Sequence, residues 1–190
     1  MAKATKEQVF DDERKVVEVL RTHAKENTET IAKRCKLSAQ KVSRIIAKLE
    51  RENRIWGYSA IFDDEYFGLR HYYLIGSRTN IPLAKDVVEE ILFTRLDDII
   101  PSSDIFIDNI EYVNGEWDGV FSFFAKDITI AKRFMEIFNK RFHPYFKNLC
   151  LLETIYKIRQ RGIRNPNIKR NLNLPLIDDS VDVKGLAEKK

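Results

Sequence analysis

The sequence predicts an α+β chain of two modules, a three-helix (winged) helix-turn-helix domain followed by a ferredoxin-like βαββαβ domain. Three observations predict it. Apolar residues recur with a helical period from Glu7 to Arg54. After Asn53 the period gives way to aromatic and β-branched residues. Beyond residue 70 the patterns run strand, helix, strand, strand, helix, strand. The expected boundaries are 1–54 for the helical domain, 55–69 for a strand and hinge, 70–162 for the second domain and 163–190 for a tail.

Each helix of the head has its own stripe. Phe10, Val17, Leu20 and Ala24 mark the first, Ile31 and Cys35 the second, and Val42, Ile45, Ile46 and Leu49 the third. Asn27 or Thr28 can open helix two and Ser38 helix three, since their side-chain oxygens accept from the unpaired amides of a first turn. Only Lys36 and Leu37 separate those two helices, which forces a large crossing angle, the geometry of a helix-turn-helix. Ile55 to Asp63 then reads as a strand leaving the domain.

In the second module His71 to Arg78 is the first strand. Asn80 and Pro82 open a helix whose stripe is Leu83, Val87, Val88, Ile91 and Leu92. Residues 105–113 and 118–126 flank Asn114-Gly115, a dipeptide suited to the positive φ angles of a tight hairpin turn. Asp127 caps a helix with Ile130, Ala131, Phe134, Ile137 and Phe138 inward, and Leu149 to Arg159 is the last strand. From Gly162 onward no period persists; Leu172, Leu174, Leu176 and Ile177 could dock this tail on a neighbouring subunit, or it could stay unstructured.

Composition excludes several classes. With 44% apolar and 33% charged residues the chain can bury one or two cores. No apolar run nears the roughly 20 residues of a membrane span, and Met1 to Gln8 lacks an apolar export region, so a cytoplasmic protein is expected. Cys35 and Cys150 show no CxxC spacing, and His23, His71 and His143 stand alone, so neither disulfide, metal nor cofactor is expected. Charge is segregated: net +5 over residues 1–60, −6 over 61–154 and +5 over 155–190. A basic head suits a polyanion, although charged residues also simply solvate surfaces.

Helix three carries the functional argument. Opposite its apolar stripe lie Gln40, Arg44, Ala47, Lys48 and Arg51, with Lys41 and Ser43 alongside, Ser38 at the N-cap and no acid among them. Arg reads guanine O6/N7, Gln reads adenine N6/N7 and Lys neutralises phosphate, so Ser38, Gln40, Lys41, Ser43, Arg44, Lys48 and Arg51 are the candidate contacts to double-stranded DNA. An ordinary solvated face is the plain alternative; the cap-turn-cap arrangement before it favours the first reading.

Residues 11–68, with Ala32, Leu37-Ser38, Val42-Ser43-Arg44, Leu49-Glu50 and Ile55 to Asp63, resemble the DNA-binding half of the Lrp/AsnC, or feast/famine, regulators. Gly115-Glu116-Trp117-Asp118 is similar to the glycine-acid-aromatic-aspartate turn of their amino-acid-sensing half, and the likeness spans about residues 11–160. The resemblance implies that Ser38 to Lys48 enter the major groove, that Trp56 to Phe62 helps dimerise, that dimers assemble further, commonly into octamers, and that an amino-acid effector binds near Gly115, Glu116, Trp117 and Asp118. Asn114-Gly115 also explains a turn without a ligand. Lys36 stands where this turn often has Gly; left-handed backbone there costs Lys about 1 kcal/mol.

The expected function is therefore sequence-specific transcription regulation, without catalysis. Two rivals remain open: an architectural protein that binds DNA without sequence preference, and an enzyme like the haem-biosynthetic decarboxylases that are similar in both halves. His143-Pro144-Tyr145 is the conspicuous polar cluster an enzyme would need to use, and its place at a helix end suits a structural role.

Overall fold

A computed structural model describes residues 5–93 and 105–167. They form two compact units, one of residues up to Ile61 together with those from Lys157 onward, the other from Phe62 to Tyr156.

The first unit holds α1 (Lys6–His23), α2 (Thr28–Cys35) and α3 (Ala39–Arg51). Thr5 and Gln8 form a reciprocal capping box that starts α1. Asn27 caps α2 by accepting from Thr30 N at 2.9 Å, and Ser38 caps α3 by accepting from Lys41 N at 3.3 Å. Lys36 ends α2 in the left-handed region (φ 55°, ψ 42°), and Leu37 N returns to Ala32 O at 3.0 Å. Val16, Ile31, Ala32, Cys35, Val42, Ile45 and Leu49 are buried together where the three helices meet.

The second unit is an antiparallel sheet of β1 (Arg70–Arg78), β2 (Ile105–Tyr112), β3 (Gly119–Ala125) and β4 (Phe146–Glu153), with α4 (Lys85–Phe93) and α5 (Ile128–Phe142) as its helices. The strand order β2-β3-β1-β4 is the ferredoxin-like one. Tyr72, Leu74, Phe121 and Phe123 bury one sheet face against Phe134, Phe138 and Phe142 of α5, with Phe123 and Phe134 rings 4.7 Å apart edge to face. Two glycines, Gly76 and Gly119, are register partners. The ring of Phe146 occupies the space above Gly76, where an added Cβ would meet it at 2.9 Å.

Four elements differ from the sequence-based expectation. Residues 55–63 have no strand pairing; Ile55 packs on the helical core and most of the rest are exposed, Trp56 by 95%. Helix α4 starts at Lys85, because Thr79 takes up the preceding residues: it donates to Pro144 O at 2.9 Å and accepts from Ile81 N at 3.3 Å. The β2–β3 connection is a six-residue loop closed by Val113 N to Asp118 O at 2.8 Å, and neither Asn114 nor Gly115 takes a positive φ. The last sheet strand ends at Glu153, and Arg159 opens a separate hairpin, β5 (Arg159–Gln160) with β6 (Ile163–Arg164). The apolar tail residues Leu172 to Ile177 lie outside the described residues.

Candidate nucleic-acid interface

Helix α3 is amphipathic because Val42, Ile45 and Leu49 return to the core every three or four residues. That places Gln40, Lys41, Ser43, Arg44 and Arg51 in the exposed class and Lys48 half-buried. The side chains of Gln40, Ser43, Arg44 and Arg51 make no hydrogen bond or ion pair among the described residues. One face of α3 thus presents an amide, a hydroxyl and two guanidiniums to solvent, with the small Ala47 between them.

The two lysines behave differently. Lys41 Nζ donates to Asp12 of α1, whose carboxylate also takes Lys15 Nζ at 3.5 Å. The hydrogen bond from Lys41 holds the Asp12 carboxyl below its usual value against an opposing desolvation by burial. Lys48 Nζ pairs with Glu13 of α1 at 2.7 Å, which raises the ammonium above its usual range. Asp12 and Glu13 are therefore the residues that composition arguments passed over. They belong to another helix, and their spacing relative to Lys41 and Lys48 becomes visible only when α1 packs across α3. Both lysines keep part of their surface in solvent, with side chains 46% and 39% exposed.

Ser38 does local work, its hydroxyl oxygen engaged at the α3 cap. The sharp entry into α3 depends on Lys36 accepting a left-handed backbone. At the other end Tyr58 donates to Glu50 at 2.9 Å and Trp56 Nε1 to Asn53 O at 3.0 Å, so the segment after α3 is tied to that helix.

In the second unit Gly115 and Glu116 are exposed while Trp117 and Asp118 are half-buried. Asp118 ties this loop to the end of β1: its Oδ2 accepts from Arg78 N at 2.7 Å and its N–H donates to Gly76 O at 2.9 Å. Ser77 Oγ donates to Glu116 O at 3.2 Å. These contacts give the Gly115 to Asp118 segment a structural role of its own. Among the described residues no group of His, Cys, Asp and Glu is arranged to hold a metal, and no helix is long and apolar enough to cross a membrane.

No family model matches the chain, and no curated protein matches it in sequence. Solved structures do match. An AsnC family transcriptional regulator from Agrobacterium tumefaciens superposes with a TM-score of 0.59 at 16% identity, covering 83% of this chain and 97% of its own. A transcriptional regulator of Neisseria meningitidis in complex with L-Met gives 0.58 at 17%, covering 88% and 99%. A feast or famine regulatory protein from M. tuberculosis complexed with L-methionine gives 0.57 at 20%, covering 79% and 96%. In fold, the chain groups with the Lrp/AsnC, or feast/famine, regulators: a helix-turn-helix unit followed by a ferredoxin-like unit.

Proposed function

We propose that this protein is a sequence-specific, DNA-binding transcription regulator of the Lrp/AsnC type that acts as a homodimer. The observation that carries the reading is the outer face of α3, where Gln40, Ser43, Arg44 and Arg51 are exposed and their side chains make no hydrogen bond or ion pair among the described residues. A recognition helix laid in the major groove uses such side chains: Arg44 suits guanine O6/N7, Gln40 suits adenine N6/N7, and Arg51 suits phosphate. Lys41 and Lys48 contribute after exchanging their α1 carboxylates for phosphates. Ser38, at the N-terminus of α3, adds the amides of a first turn, which favour an anion.

The effector is proposed to be an amino acid bound near Gly115, Glu116, Trp117 and Asp118. Two structures of the same fold hold L-methionine, and the loop's one half-buried carboxylate and half-buried indole supply a charge and an apolar wall. No catalytic role is assigned to His143-Pro144-Tyr145: Pro144 O and Tyr145 O accept from Thr79, which accounts for that segment structurally.

Selection from a random duplex library by the purified chain, at about 150 mM salt where non-specific binding is weak, tests the reading. Enrichment of a roughly palindromic site is expected. Binding without enrichment would favour an architectural protein, and no binding at all would remove DNA as the partner. With the selected site in hand, L-methionine and other amino acids are titrated against the complex; a shift in DNA affinity identifies the effector.

A further inference from the structure

Beyond the ferredoxin-like unit the chain does not simply trail away. Lys157 to Asn167 cluster with the helix-turn-helix unit. Arg159 and Gln160 pair with Arg164 and Ile163, and the hairpin is closed by Asn165 N to Ile158 O at 3.0 Å and Asn165 Nδ2 to Lys157 O at 2.9 Å. Its tip rests on the last turn of α1, where an added Cβ on Gly162 would stand 3.6 Å from Thr22 Cγ2.

One feature of this hairpin is costly unless an anion meets it. Arg159 and Arg164 are directly opposed cross-strand partners, and like charges so placed repel. Arg159 and Arg164 are exposed, and no carboxylate occurs between Lys157 and Asn167. The lysines of α3, by contrast, already have carboxylate partners.

We propose that β5–β6 is a wing of the DNA-binding unit, with Arg159 and Arg164 gripping backbone phosphates beside the groove that α3 enters. The proposal rests on the DNA-binding reading above. A bridging phosphate would relieve the Arg159–Arg164 repulsion and make the arrangement favourable.

The test measures affinity of the full chain for its selected duplex as a function of salt, for wild type, R159Q/R164Q and R159K/R164K. Each lost phosphate contact flattens the slope of log K against log salt by about 0.9. We expect R159Q/R164Q to flatten it by about two units with base preference unchanged, and R159K/R164K to keep the wild-type slope. Removing the opposed charges does not threaten the fold, and thermal melts of each variant verify that. A wild-type slope in R159Q/R164Q overturns the wing alone, as does a change of base preference with the slope unaltered. A wild-type protein that binds no duplex overturns the parent reading and the wing with it.

Discussion

Arg44 and Asp12 show how differently two charged residues of one unit are used. Arg44 is exposed and makes no hydrogen bond or ion pair among the described residues, so removing it is expected to leave the fold intact and to act on recognition alone. Arg44→Ala is expected to relax preference at one base pair by about 1–3 kcal/mol while thermal stability stays put. Equal losses on all sequences, read by competition with single-base variants of the site, would make Arg44 a phosphate contact instead. Asp12 is 9% exposed and accepts from both Lys41 and Lys15. Its pair is stronger than a surface ion pair but weakened by the half-open Lys41, so Asp12→Asn is expected to cost about 1–2 kcal/mol at pH 7. The pH dependence follows from the sign of the shift. The Asp12 carboxyl is lowered from its usual 3.8, so its contribution is fully present above that value and is lost as pH falls through the lower, folded one. Urea melts should therefore show wild type and Asp12→Asn converging below pH 3.8; a gap that persists in acid would show that the cost arises elsewhere.

Among the elements, β1 is the one with least room, because β3 and β4 flank it and Phe146 covers it. A Cβ at Gly76 would lie 2.9 Å from Phe146 Cδ1 and 3.0 Å from Leu149 Cδ2, whereas at Gly119 the nearest atom is 3.5 Å away. Gly76→Ala is expected to cost about 1–3 kcal/mol through overpacking, and Gly119→Ala much less; equal midpoints in urea would contradict the crowding. This constraint was not legible in the sequence, since Phe146 is distant from Gly76 along the chain. What was legible is local. Asn27, Ser38 and Asp127 were identified as caps because an N-cap depends on one side chain and the amides two or three residues on. The strand expected over 55–63 failed because a strand needs a ladder partner, and a run of aromatics cannot say whether its own chain supplies one. Asn114-Gly115 did not form a two-residue turn because Asp118, anchored to β1 through Arg78 N, fixes where the loop closes. The hairpin at Arg159 escaped notice since its strands are two residues each, too short for any period; Arg161-Gly162 was the local signal. On the outer face of α3 the residue types were readable from that helix alone, but the pairing of Lys41 and Lys48 needed α1.

At the scale of the whole molecule the exposed apolar surface asks for a second chain. The helices cover the Tyr72, Leu74, Phe121 and Phe123 face of the sheet. By the alternation of strands, the other face buries His71, Ser122 and Phe124 but leaves Tyr73, Phe106 and Leu152 exposed by 37%, 57% and 47%, with Tyr73 and Leu152 register partners. Trp56 adds a nearly bare indole in the linker. Apolar patches of this kind mark association surfaces, and closed two-fold symmetry lets one patch cover itself. A dimer also suits DNA, because one recognition helix spans few base pairs and two-fold symmetry supplies a second half-site about one helical turn away. Sedimentation equilibrium is expected to give at least twice the chain mass, and Phe106→Asp, an exposed position whose substitution spares the core, is expected to weaken association at least about tenfold, about 1.4 kcal/mol. The same variant should bind a half-site as wild type does while losing the advantage of the full palindrome. A concentration-independent monomer would remove the association reading, and an unaltered dimer in Phe106→Asp would move the interface to the linker around Trp56.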